Sequence, residues 1–169
     1  MEKLHKYRPE LEKGNAAQFI TQKALPYLKG KGLDVGYSQW KIKKDAIGVD
    51  LQKKPGVDLV INNWNKIPSN EYDYIFSSHC LEHILDWENT LQHWVRILKT
   101  NGILFIYLPN PAVYNRWSKK NMKPHKHDFK LPIIARKLTN LNIKITDKGH
   151  DEFAGMWATG VKKYIKLFL

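Results

Sequence analysis

Two acids and a glycine stand at spacings that could build a ligand pocket. Gly32-Leu-Asp-Val-Gly36 ends in Asp-x-Gly, and Ala46-Ile-Gly-Val-Asp50 ends in a second acid sixteen residues after Asp34. A doubly wound sheet forms a nucleoside pocket from such parts: a tight turn after one apolar strand and a carboxylate after the next. The pattern points to a bound cofactor. Histidines offer a second kind of chemistry, since imidazole is matched to proton transfer near neutral pH. His79 follows the apolar run Tyr72 to Ser77, and His125-Lys-His127-Asp128 follows a basic, aromatic stretch. His-x-His-Asp also contains metal-donor types, but a lysine-rich loop is a poor preformed site, and no metal is expected there. Cys80, the one cysteine, excludes an internal disulfide and, within an apolar stretch, reads as a small core residue.

The elements that must position these residues are short. Leu33 to Gly36, Ala46 to Asp50, Val57 to Ile61 and Tyr72 to Ser77 are four apolar, β-branched or aromatic runs, of the kind that parallel strands covered on both faces require. Ahead of them, Asn15 and Gln18 read as a capping pair for a helix running through Phe19 and Leu28, closed by Gly30 and Gly32. Asp86 can cap a helix with Leu91, Trp94, Val95 and Leu98 on one face, stopped by Asn101-Gly102. A fifth strand, Ile103 to Leu108, follows. Residues 110–130 set Tyr114, Trp117 and Phe129 among Lys119, Lys120, Lys123 and Lys126, and read as a lid or substrate loop that, with the region near Asp151 to Thr159, would choose an acceptor. Pro132 opens a further helix, Asn142 to Thr146 alternates as a strand, and Val161 to Leu169 is apolar enough to be the last one.

With 169 residues, 43% of them hydrophobic, the chain can bury one core, and residues 1–169 read as a single domain. No run of about 18 apolar residues is present, and Met1 to Lys6 lacks the apolar centre of a secretory signal. A cytoplasmic protein is expected. The net charge of +12 would attract nucleic acid, anionic lipid or phosphorylated substrates. Yet only Arg8, Arg96, Arg116 and Arg136 among 28 basic residues carry the guanidinium fork suited to phosphate or base recognition. Lysines scattered over solvated faces are the competing reading.

The ordered segments Leu33-Asp-Val-Gly36, Ile47-Gly-Val-Asp50, Tyr72 to His83 (ending Leu-Glu-His) and Arg96 to Asn110 resemble class I S-adenosylmethionine-dependent methyltransferases, most of all the small type 11 group. The resemblance covers residues 30–112. It implies an α/β, Rossmann-like, doubly wound and mostly parallel seven-stranded sheet, with helices on both faces and an antiparallel last strand. It also implies S-adenosylmethionine as cofactor. By that resemblance, Asp34, Gly36 and Ser38 would lie at the turn beside the methionine end, and Asp50, with Leu51 next to it, would accept from the ribose hydroxyls. Asn62, Asn63 and Trp64 would flank the adenine, while Ser78 and His79 would face the methionine moiety and sulfonium. Glu82 and His83 would hold the loop after the fourth strand by hydrogen bonds.

Two departures from the family pattern follow. Tyr37-Ser38 stands where a second glycine is usual, so Ser38 adds a Cβ near the ligand. Nine residues, Tyr37 to Asp45, are too few for the usual crossover helix, which must be shortened to a turn or missing. Lys41, Lys43 or Lys44 could then replace the lost helix dipole in seating the methionine carboxylate. In-line methyl transfer to a hydroxyl also needs a proton acceptor, and His79 and His127 are the candidates. The resemblance implies a methyltransferase acting on a small-molecule or glycan-like acceptor. The alternatives are a cofactor-binding or partner module without transfer, and a basic RNA or DNA methyltransferase.

Overall fold

Four buried residues, Gly32–Val35, make strand β1, the axis of the sheet. Both neighbours run parallel to it. β2 (Ile47–Asp50) sets Ile47 beside Leu33 and Val49 beside Val35, and β4 (Tyr72–Ser78) sets Ile75 beside Leu33 and Ser77 beside Val35. The computed structural model describes residues 15–37, 40–114 and 125–164. Within these, β3 (Leu59–Val60), β5 (Leu98–Pro109), β6 (Ile143–His150) and β7 (Gly155–Lys162) complete a seven-stranded sheet of order β3-β2-β1-β4-β5-β7-β6. The β1–β5 pairings are parallel, whereas β7 is antiparallel to both β5 and β6, so the sheet is mixed.

Alternation of side chains along β4 and β5 divides the core between two faces. Tyr74, Phe76, Phe105 and Tyr107 pack under α1 (Ala17–Ala24), which buries Ala17, Ile20 and Ala24 against them. Ile75, Leu104, Ile106 and Leu108 meet the opposite layer, where α2 (Trp87–Ile97) contributes Leu91 and Trp94 and α4 (Leu131–Asn140) contributes Ile134 and Leu138. A single turn, α3 (Pro111–Tyr114), follows β5. Asp86 caps α2 as expected, accepting from Asn89 N at 3.4 Å, and Pro132 sits in the first turn of α4. No helix of the described residues is long and apolar enough to cross a membrane.

Several boundaries differ from the sequence reading. Asn15 does not cap α1: Ala16 occupies that position, and the Asn15 side-chain oxygen is buried with no hydrogen-bond partner among the described residues. The helix ends at Ala24 rather than Leu28, because Pro26 cannot continue it. Only Leu59–Val60 of the third run pairs. α2 stops at Ile97, since buried Leu98 already pairs with Tyr72 in the sheet; Asn101 does adopt φ +65°, but inside an irregularity of β5. The last strand is Gly155–Lys162 instead of Val161 to Leu169, whose final five residues lie outside the described ones. The lid segment is likewise described only at its ends, 110–114 and 125–130.

The first connection bears out its expected shortening. The described residues between Val35 and Ile47 form turns and bends with no helix. Asp34 holds this loop down: its Oδ2 accepts from Ile42 N at 2.8 Å, and the residue is 3% exposed. Burial pushes the Asp34 carboxyl up to about 7, against the Ile42 N–H and Lys41, which pull it down.

Two measurements test this architecture. Trp94 is fully buried between α2 and the sheet, so Trp94→Ala should cost about 3–5 kcal/mol in urea unfolding. For Asp34, the folded protein keeps a proton that an unfolded chain releases near 3.8, so stability attributable to this group falls as pH rises from about 4 to about 7. Relative to Asp34→Asn, whose amide oxygen can still accept from Ile42, the parent should therefore lose stability across that window and run parallel above it. Curves that stay parallel throughout would mean the carboxyl is ionised in the fold.

Candidate functional site

In an open α/β sheet, ligands settle outside the carboxyl ends of the strands where the order reverses, here between β1 and β4. The chain leaving β1 turns at Gly36, φ +79°. A Cβ at that position would fall within 2.5 Å of the Cys80 sulfur, so glycine alone lets the two strand ends close this tightly. Gly36 N and Tyr37 N both donate to Val49 O, at 2.9 and 3.0 Å, which ties the turn to β2. Cys80, packed against the core, has its thiol pushed up to about 12, mainly by burial, and is inert as a nucleophile at neutral pH.

One strand away, Asp50 ends β2 with its side chain 15% exposed. Its Oδ1 accepts from Gln52 N at 2.9 Å and its Oδ2 pairs with Lys54 Nζ at 3.0 Å. Leu51, immediately after it, is 68% exposed. Asp50 O accepts from Ile61 N at 3.1 Å, and this bond brings the next segment alongside. There Asn62 and Asn63 are exposed, with Asn63 Oδ1 capping a short 3-10 turn, Trp64–Lys66. The half-buried Trp64 ring meets Trp94 edge-on at 6.1 Å. Asp34, Gly36, Asp50, Asn62, Asn63 and Trp64 thus line up along the carboxyl edge of β1 to β3; Ser38 lies outside the described residues.

Across the switch point, β4 ends in Ser78, whose hydroxyl is buried with no hydrogen-bond partner among the described residues. His79 follows in a left-handed conformation, φ +46°, its amide donating to Tyr107 O at 2.9 Å and its ring tilted over Tyr107 at 5.1 Å. Burial, aided by His125 and His83, pushes its imidazole down to about 3, so the ring is neutral but only weakly basic. Glu82, in a 3-10 turn over Leu81–His83, is 1% exposed, and burial pushes its carboxyl up to about 8.

The expectation that Glu82 fastens the loop holds for its backbone rather than its side chain. Glu82 O accepts from Lys126 N at 2.8 Å and His127 N at 3.2 Å. The segment 125–129 is thereby laid against the turn after β4. His127 reaches Leu85 O through Nε2 at 3.1 Å and stacks on Phe129 at 5.5 Å. Because a carbonyl only accepts, Nε2 carries the proton and a neutral ring leaves Nδ1 as the basic atom.

Two other readings change. Lys41 pairs with Asp58 at 2.5 Å, and Lys43 reaches Leu28 O at 3.1 Å and Asp45 at 3.3 Å, so both are committed away from a methionine carboxylate. The stretch Asp151 to Thr159, expected from sequence to help choose an acceptor, is mostly β7; Asp151 instead clamps the β6–β7 turn, accepting from Phe153 N and Gly155 N at 2.8 Å each and from the Tyr107 hydroxyl at 2.5 Å. Sequence reasoning missed Tyr107 as the floor under His79, and missed the approach of His125 to Glu82 and His83. No local signal announces either, since the partners are far apart in the chain.

The same fold recurs in known structures. The chain superposes on a methyltransferase from Thermotoga maritima described as S-adenosylmethionine-dependent, with TM-score 0.69 and 17% identity over 91% of this chain and 93% of that one. It superposes on a chain of the complex between the Haloferax volcanii Trm112 methyltransferase activator and a methyltransferase, with TM-score 0.67 and 11% identity over 94% and 95%. A third match is the Burkholderia thailandensis 1,6-didemethyltoxoflavin-N1-methyltransferase, with TM-score 0.64 and 14% identity over 92% and 80%. At these identities the likeness is one of fold. No curated protein matches the chain in sequence. The sequence profile of the methyltransferase domain, however, matches residues 13–139, which include β1 to β5, the Gly36 turn and the histidine segment. The chain therefore belongs to the methyltransferase domain family.

Proposed function

We propose that this domain transfers a methyl group from S-adenosylmethionine to a small-molecule or glycan-like acceptor. The observation that carries the reading is Asp50, at the carboxyl end of β2, beside the Gly36 turn and across from the buried Ser78 hydroxyl. Those residues fit the cofactor. A two-oxygen carboxylate suits a sugar diol, the glycine turn lets the β1 and β4 ends close together against Cys80, and Ser78 presents a buried hydroxyl with no hydrogen-bond partner among the described residues. Two proteins of this fold also support it: the Burkholderia enzyme was crystallised with S-adenosylhomocysteine and 1,6-didemethyltoxoflavin, and the N-methyltransferase NodS of Bradyrhizobium japonicum with S-adenosylhomocysteine.

When bound, S-adenosylmethionine supplies an electrophilic methyl group on a sulfonium. The chain's own residues then bind and orient. Asp50 exchanges its Lys54 contact for the ribose hydroxyls, while Trp64, with Asn62 and Asn63, flanks the base. Ser78 and the neutral His79 ring, whose basicity burial has largely removed, serve as hydrogen-bonding and positioning groups at the methionine end. Proton removal from a hydroxyl acceptor falls to His127, which is half-buried and has Nδ1 directed away from its Leu85 contact.

Nucleic acid is not the favoured acceptor. Only four of the 28 basic residues are arginine, the side chain suited to phosphate and base recognition. Arg96 is occupied internally, donating to Ser69 Oγ at 3.0 Å and Trp64 O at 2.7 Å.

Calorimetric titration with S-adenosylmethionine and S-adenosylhomocysteine tests the proposal. The parent should bind both, and Asp50→Ala should weaken each by about 1.5–3 kcal/mol, roughly ten- to a hundredfold, with an unchanged unfolding midpoint. Parent-like affinity in the variant would remove Asp50 from the ribose. No heat from the parent with either ligand would refute the cofactor itself.

A further inference from the structure

Beside the proposed crevice lies a second group of side chains that methyl transfer does not employ. Glu82, His83 and His125 each offer one donor atom, and these atoms all lie within 4.8 Å of one another. The grouping is held from the main chain outward. Glu82 and His83 share the 3-10 turn after β4, and the amides of Lys126 and His127, donating to Glu82 O at 2.8 and 3.2 Å, bring His125 down onto that turn. The His83 and His125 rings meet edge to face at 5.0 Å. His83 Nε2 stands 3.8 Å from Glu82 Oε1, and His79 Nδ1 stands 4.0 Å from the same oxygen.

Glu82 gives the group its direction. The residue is 1% exposed, and no other described residue hydrogen-bonds either carboxylate oxygen. A buried carboxyl whose sole donor is its own backbone N–H among the described residues is costly, and a cation coordinated by it relieves that cost. We infer that Glu82, His83 and His125 form a binding site for one divalent transition-metal ion of the zinc class. Two imidazoles and a carboxylate are a donor set that such borderline ions take, with a fourth position left for water or another ligand. Magnesium and calcium call for oxygen donors instead. Tetrahedral donors at zinc distances lie about 3.4 Å apart, so the largest gap must close by a little over 1 Å. Side-chain torsions at His83 and His125 can supply that. The inference stands apart from the methyl-donor reading, because metal binding needs neither cofactor nor acceptor.

The test uses the full chain, untagged and stripped of metal, titrated with Co²⁺ by visible absorption and then with Zn²⁺ in competition. Saturation at one equivalent, with the intense visible bands of a four- or five-coordinate cobalt ion displaced by Zn²⁺, is the expected result. His125→Ala and Glu82→Gln should each weaken Co²⁺ binding by about a hundredfold or more, since losing even an outer partner of a ligand costs about 10–100-fold. His150→Ala, which removes an exposed histidine of β6, should leave it unchanged. The absence of a saturable band, or equal Co²⁺ affinity in the parent and His125→Ala, would overturn the inference. His125→Ala decides the matter even if Glu82→Gln does not fold.

Discussion

The close approach of the β1 and β4 ends is the constraint on which the rest of the site depends. A four-residue strand buried on both faces must leave the sheet abruptly, and Gly36 lets it do so directly against Cys80. Parallel registry then places Asp50 on one side of that bend and Ser78 and His79 on the other. If the bend were wider, the carboxylate and the post-β4 turn would no longer stand at adjoining strand ends. Position at a strand end, rather than a dedicated loop, orients these groups, and rigid scaffolding of this sort is what a positioning enzyme requires.

The ionisable groups around the bend are shifted in one direction, toward neutrality. Burial raises Asp34 and Glu82 and lowers His79. Such surroundings strengthen any charge interaction that a ligand brings into them, because screening by water is weak. Asp50 differs in being partly open and in holding Lys54, so it can exchange partners without leaving a charge stranded. The carboxyl edge of the sheet therefore combines a dry end, near the histidines, with a wet end at the acid of β2.

The central strands were legible because each is a short, mostly apolar run, and Gly36 just past β1 and Asp50 at the close of β2 mark their ends. The shortened first connection was legible from length alone. β7 was not, and the reason is packing: a Cβ at Gly155 would collide with the Tyr107 hydroxyl, and one at Gly160 with Lys144 O. Glycines that make room for a neighbour erase the apolar alternation by which a strand is recognised. Apolar spacing continues through Leu28 past the end of α1, because Pro26 stops the helix without interrupting the pattern. The Glu82, His83 and His125 group was invisible in the sequence for a different reason: main-chain bonds from residues 126 and 127 assemble it, and such bonds carry no side-chain signature.

The two borders of the sheet have a consequence of their own. At one, β3 offers just Leu59–Val60; at the other, β6 presents exposed Lys144 and Lys148 along its length. A rim that is either too brief or too charged is a poor template for backbone pairing by a foreign strand. Association with other macromolecules is thereby steered toward helix faces and loops, where recognition is specific to side chains, and away from the indiscriminate sheet extension that leads to aggregates.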